Sequence, residues 1–199
     1  KRTALRRLIE HCDVKNGIIF CNRKSEVDIV TKSLNKHGFD AAAIHGDLPQ
    51  AYRPQTLERF RDGDLQLLVG SDVAARGLDI PDVSHVFNYA PPPKDEDYVH
   101  RIGRTGRAGR KGESYTLVGG KYDDKSWEGV IKMIGREVDE FMPEGLLEEL
   151  ADLPKDEGKG RRGRGRRGER GDKDEQFEGD EKRPRSRTRG RTKPDEDKR

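Results

Sequence analysis

The chain has 199 residues, 40% of them charged and 30% hydrophobic, with a formal net charge of +3. Charge is unevenly placed: residues 155–199 carry 18 Lys/Arg against 12 Asp/Glu, net +6, and the first 154 carry 23 against 26, net −3. No apolar run approaches a membrane span, the start lacks a secretory pattern, and Cys12 and Cys21 show neither a disulfide framework nor a metal-ligand spacing, which points to a reducing, cytoplasmic setting.

Leu5, Leu8, Ile9 and Cys12 recur at helical spacing over 3–12. The apolar run Gly17-Ile18-Ile19-Phe20-Cys21 reads as a strand buried on both faces. Ser25 is placed to cap a helix carrying Val27, Val30 and Leu34 and stopping at Gly38. A strand is expected at 41–44, then a helix over 49–62 ending at Gly63, with Leu57 and Phe60 inward. Further strands are expected at 65–69, 83–89 and 114–118, and helices at 95–103 and 122–138. The last helix would pack Trp127, Val130, Ile131 and Ile134 on the sheet.

Alternation of this kind argues for an α/β fold, a mostly parallel sheet with helices on both faces. The globular unit is expected over 1–154 and a disordered Gly/Arg-rich charged tail over 155–199, where Phe177 is the one hydrophobic residue. Within that tail 158–171 has net charge +6, 172–181 net −5, and 182–193 seven basic residues and no acid. A flexible basic arm suits nucleic acid through counterion release; a solubilising role without a partner is the competing reading. Because the chain opens on Lys1 straight into a helical pattern, it is expected to be a piece of something longer.

Ligands of open parallel sheets gather at the carboxyl ends of the strands. Asn22-Arg23-Lys24, His45-Gly46-Asp47 and Ser71-Asp72, with Arg76, Gly77 and Asp79 beyond, are expected to form one polar rim there. The sharpest signal is 95–112. At about 100° per residue, Tyr98, Val99 and Ile102 share an apolar face, and His100, Arg104 and Arg107 share the opposite one. An arginine pair held by an anchored helix suits a phosphate, since each guanidinium offers paired planar donors and keeps its charge.

His100-Arg101-Ile102-Gly103-Arg104-Thr105-Gly106-Arg107 and Ser71-Asp72-Val73-Ala74-Ala75-Arg76-Gly77-Leu78-Asp79-Ile80-Pro81 resemble motifs VI and V of the carboxyl-terminal RecA-like domain of DEAD-box RNA helicases. Ile19-Phe20-Cys21-Asn22 is similar to motif IV, and His45-Gly46-Asp47 with Gln50 and Arg53 to the HGD and QxxR elements. The resemblance covers about 17–119, and the wording with its tail looks most like the bacterial RhlE-like branch.

The resemblance implies ATP with Mg²⁺, held mainly by an amino-terminal RecA-like domain of the same protein, and RNA crossing both domains. It implies that Arg104 and Arg107 reach the γ-phosphate, that Asp79 and Gly77 meet the nucleotide, and that His100 couples that site to the partner domain. Asn22, Arg23, Gly46, Arg53, Ser71, Arg76 and Gly77 would meet RNA. No metal ligand, membrane contact or stable oligomer is expected of this chain. Since it contains neither a GxxxxGK[ST] loop nor an Asp-Glu-Ala-Asp box, it is expected to be inactive alone. Pro54, if it falls well inside a helix starting at Pro49, would disturb the aim of Arg53. A non-catalytic RNA-binding or scaffold module, and a DNA translocase of the same superfamily, are the alternatives.

Overall fold

The computed structural model describes residues 1–75, 80–143 and 145–151. All described residues lie within one compact unit, Lys1–Lys155, and the expected tail lies outside the described residues. Twelve elements occur among the described residues: α1 (Arg2–His11), β1 (Gly17–Cys21), α2 (Lys24–Lys36), β2 (Ala41–Ile44), α3 (Tyr52–Asp62), β3 (Leu67–Ser71), α4 (Asp72–Ala75), β4 (His85–Asn88), α5 (Asp95–Ile102), β5 (Glu113–Thr116), α6 (Lys121–Ile134) and α7 (Leu146–Ala151).

The strands form one sheet in the order β2-β3-β1-β4-β5, every pair parallel. Strand alternation divides the core. Ile19, Cys21, Val69 and Phe87 face Leu5, Leu8 and Ile9 of α1 and Val27, Val30 and Leu34 of α2. Ile18, Phe20, Ala42, Leu68 and Val86 face Leu57 and Phe60 of α3 on the other side. β1 is thus buried on both faces, as its unbroken apolar run requires. Each such buried Leu, Ile or Phe contributes about 1.5–3 kcal/mol. Burial also pushes the Cys21 thiol up to about 12.

Several boundaries differ from expectation for local reasons. The N-cap of α2 is Arg23, not Ser25, because the Glu26 carboxylate reaches back to accept from the Arg23 amide at 3.2 Å. α3 begins at Tyr52, not Pro49, which places Pro54 in the first helical turn. Amides of that turn have no intrahelical acceptor, so the proline removes no helical bond. The disturbance expected at Arg53 therefore does not arise, and α3 ends as expected at Gly63, in the left-handed conformation at φ 84°. α6 packs on α5, where Trp127 meets Tyr98 edge-to-face with ring centres 5.8 Å apart. Of its four expected inward residues only Val130 is fully buried.

Candidate functional site

Because all strands run parallel, their carboxyl ends share one edge. Arg101 is the hub of that edge. Only 1% exposed, its guanidinium sends Nε and Nη2 to the two carboxylate oxygens of Asp72, both at 2.6 Å. Nη2 also donates to Asn22 Oδ1 at 2.7 Å, and Nη1 donates to Asn88 Oδ1 at 3.3 Å and the Ala90 carbonyl at 3.1 Å. All five N–H groups of the fork are satisfied, and the Phe20 ring lies 5.4 Å below it. One side chain of α5 thereby fixes the ends of β1, β3 and β4.

This reverses part of the expected helix orientation. The buried face of α5 carries Asp97, Tyr98 and Arg101, whereas Val99 is half exposed. The carboxylate and amides at three strand ends draw the arginine in and turn Val99 out.

Asn22, Arg23, Gly46 and Ser71, expected to meet RNA, lie along the same edge. Asn22 is half-buried, and both ends of its amide are engaged, by Arg101 and by the Pro91 carbonyl at 2.9 Å. Arg23 and Gly46 are exposed, and Ser71 is buried at the end of β3. Lys24 bonds Asp47 at 2.6 Å, joining the start of α2 to the loop after β2 and holding the Asp47 carboxyl below its ordinary value. Buried His45 turns Nε2 toward Asp28 at 3.1 Å, while its Nδ1 has no hydrogen-bond partner. Arg53 borders a groove of about 510 Å³ lined by Gln50, Pro54, Leu57, Glu58 and Arg61, with its Nε buried and unbonded.

Arg104 and Arg107 lie elsewhere. α5 stops at Ile102, so neither continues its helical face. Past Gly103 the backbone runs beside the segment leading into β4: the Val83 amide donates to the Arg104 carbonyl at 3.0 Å, and Thr105 Oγ1 donates to the Val83 carbonyl. The pair therefore flanks the amino end of β4, apart from the carboxyl-edge rim that the described ends of β1, β2 and β3 form. Arg107 is exposed and folds its Nε onto the Gly103 carbonyl at 2.6 Å. Arg104 is half-buried, and its pKa is lowered, first by burial and then by the charge of Arg107. Asp82 is occupied by the Arg107 amide at 3.4 Å and by Arg110 at 4.0 Å. His100 is exposed, 3.9 Å from Asp97.

The loop carrying this pair is tightly shaped. Gly106, Ala108 and Gly109 all have positive φ, at 69°, 52° and 76°. A Cβ on Gly112 would overlap Thr105 Oγ1 and the Gly106 amide nitrogen. Because one of these is backbone, Gly112→Ala is expected to lower the thermal midpoint by several degrees through overpacking of about 1–3 kcal/mol. Differential scanning calorimetry checks this; an unchanged midpoint would show that the loop yields freely.

Arg76, Gly77 and Asp79 lie outside the described residues. Arg101 is the site residue whose role the sequence hid, since an arginine beside exposed His100 in a strongly charged helix reads as solvated. The signal was present only as Asn22, Asp72 and Asn88, three polar residues at three strand ends.

The helicase conserved C-terminal domain family matches residues 1–109. ATP-dependent RNA helicase dbp8 of Aspergillus niger is 44% identical over 135 residues, 68% of this chain and 26% of its own length. DEAD-box ATP-dependent RNA helicase CshA of Bacillus licheniformis is 48% identical over 118 residues, 59% of this chain and 24% of its own. The chain thus spans about a quarter of these curated relatives. Among solved structures, E. coli DEAD-box protein SrmB bound to regulator of ribonuclease activity A aligns with TM-score 0.62 and 36% identity, covering 70% of this chain and 79% of that one. S. cerevisiae Dbp5 bound to RNA and ADP BeF3 aligns with TM-score 0.66 and 32% identity, covering 75% and 40%. With the five-stranded parallel sheet and motifs in order, these place the chain in the family: it is the carboxyl-terminal RecA-like domain of the DEAD-box kind.

Proposed function

We propose that this domain is the second motor half of an ATP-dependent RNA helicase and lends Arg104 and Arg107 to the γ-phosphate of ATP. The nucleotide and its Mg²⁺ would be held mainly by an amino-terminal RecA-like domain of the same protein. The observation that carries the reading is that Arg104 and Arg107 leave α5 on one tightly shaped loop with no carboxylate bonded to either side chain among the described residues. Burial first, and then the charge of Arg107, lower the Arg104 pKa. Two unneutralised cations side by side fit a phosphate chain. ATP, when bound, supplies the phosphoanhydride whose cleavage drives the cycle. The chain's own part is to donate hydrogen bonds to charge developing on the transferred group, an effect worth about 10³–10⁵ in rate. Supplied across a cleft, these donors act only on closure, which ties hydrolysis to domain movement.

Asp79 and Gly77 are assigned to the nucleotide and His100 to coupling between the domains. RNA is assigned to Asn22, Arg23, Gly46, Arg53, Ser71, Arg76 and Gly77, as contacts to phosphate and sugar that carry little sequence information. RNA bridging both halves would favour closure, and the coupling is reciprocal; local duplex separation follows from that cycle. The free cysteines Cys12 and Cys21 suit a cytoplasmic, reducing compartment, and among the described residues no helix is long and apolar enough to cross a membrane.

By itself the chain is expected to show no RNA-stimulated ATP hydrolysis, and joined to its amino-terminal domain it is expected to show it. Activity in residues 1–199 alone would overturn the division of labour, and RNA binding without hydrolysis in the joined protein would favour a non-catalytic module. The tail is expected to tighten RNA binding and steepen its salt dependence. Equal affinities of 1–154 and 1–199 at two salt concentrations would remove that role.

A further inference from the structure

At the amino edge of the sheet, away from the Arg101 hub, the structure brings together three side chains that no linear spacing connects. His85 opens β4 and Glu113 opens β5, and the two are paired across the parallel ladder. Alternation puts both on the face shared with Phe87 and Tyr115, whose rings stack 5.9 Å apart. Cys12, the C-cap residue of α1, packs against this face. The Cys12 sulfur, a ring nitrogen of His85 and a Glu113 carboxylate oxygen all lie within 4.8 Å of one another.

The surroundings decide which His85 nitrogen is available. Ser84 Oγ lies 2.6 Å from the Asn16 carbonyl, and a carbonyl can only accept, so the hydroxyl proton is committed there. His85 Nδ1 sits 2.9 Å from the same Ser84 Oγ and must therefore be the donor. In the neutral ring this leaves the Nε2 lone pair aimed at Glu113 Oε2, 3.5 Å away. In that form two lone pairs face each other across a gap that a proton or a metal cation would fill. The Tyr115 hydroxyl donates to that Glu113 oxygen at 2.7 Å.

We propose that Cys12 Sγ, His85 Nε2 and Glu113 form a zinc site, with water from the exposed Glu113 side as fourth ligand. A thiolate, an imidazole and a carboxylate are a zinc donor set. Tetrahedral bond lengths of about 2.0–2.2 Å hold N and O about 3.4 Å apart, close to the observed 3.5 Å. The sulfur needs to be about 3.6 Å from the nitrogen and from the oxygen, so each of these separations has to close by about 1.2 Å at most from the 4.8 Å bound. Ser84 and Tyr115 act as outer partners that orient His85 and Glu113. Binding releases the thiol proton to solvent, and the Zn²⁺ charge is balanced by the thiolate and the carboxylate. The metal would tie the end of α1 to the first residues of β4 and β5. This departs from the expectation that the chain has no metal ligand, because the sheet register, and not sequence spacing, assembles the site.

The test uses reduced protein of residues 1–199 titrated with Zn²⁺ against a chromophoric chelator, and with Co²⁺ followed by absorption. The expected results are one equivalent bound, a thiolate-to-cobalt charge-transfer band, and a thermal midpoint that rises with Zn²⁺. Cys12→Ser should abolish the band, and Glu113→Gln, at an exposed position, should weaken binding tenfold or more, with unchanged circular dichroism in both. No band in the parent protein, a band surviving Cys12→Ser, or Zn²⁺ affinity undiminished by Glu113→Gln would each overturn the proposal. In those cases the pair is an ordinary His85–Glu113 ion contact.

Discussion

In the full-length protein, Arg107→Ala is expected to lower RNA-stimulated ATP turnover by about 10³-fold or more while leaving the fold intact, because an arginine finger supplies that much transition-state stabilisation. Converted at about 1.4 kcal/mol per decade, the loss is at least about 4 kcal/mol of barrier. The structural cost is small. Arg107 is exposed, and its side chain makes one hydrogen bond, back to the Gly103 carbonyl. Removing it leaves an exposed carbonyl that water satisfies, an effect of about 1 kcal/mol or less. Arg107→Lys keeps the charge without the planar fork and should fall between. Single-turnover hydrolysis with thermal denaturation of each variant separates the two effects. Turnover retained in Arg107→Ala would remove the finger assignment.

Arg101→Leu is expected to destabilise the domain by about 3–5 kcal/mol, the range for stripping one partner from a buried ion pair. That is a large part of the roughly 5–15 kcal/mol that holds such a domain folded. The Asp72 carboxylate would lose both of its 2.6 Å bonds, and Asn22 Oδ1, Asn88 Oδ1 and the Ala90 carbonyl would each lose a donor. Arg101→Lys should fare only somewhat better, since three ammonium protons at one point cannot reproduce a five-donor fork spread across three strand ends. Urea unfolding gives the answer directly, and a midpoint unchanged in Arg101→Leu would show that the network contributes no stability. Because Arg101 also fixes the last turn of α5, its loss would release the backbone that presents Arg104.

The sequence made the sheet legible where packing alone sets an element. β1 and β2 fall at the expected residues because their apolar runs have no other use. β3 begins two residues later than expected because its ladder to β1 pairs Leu67 with Gly17, and register is a property of two strands. α4 is a single turn and α7 is six residues, too short for periodicity to declare them. The arginine pair was legible as residues but not as a position. A helical wheel carried past Gly103 assumes a helix that has already ended, so it could not place Arg104 and Arg107 beside Val83. The inward turn of Arg101 depends on Asp72, 29 positions away, and the meeting of Cys12, His85 and Glu113 on strand starts 28 positions apart, partners that only the folded sheet brings near.

The proposed role of Arg104 and Arg107 depends on where the two guanidiniums go when the motor closes. A structure of the whole protein with RNA and a γ-phosphate mimic measures this most directly. Arg104 and Arg107 should each place a guanidinium nitrogen about 2.7–3.1 Å from the mimic's oxygens, across the cleft from the phosphate loop. A closed, RNA-bound structure in which both point to solvent or pair with carboxylates of this same domain would contradict it.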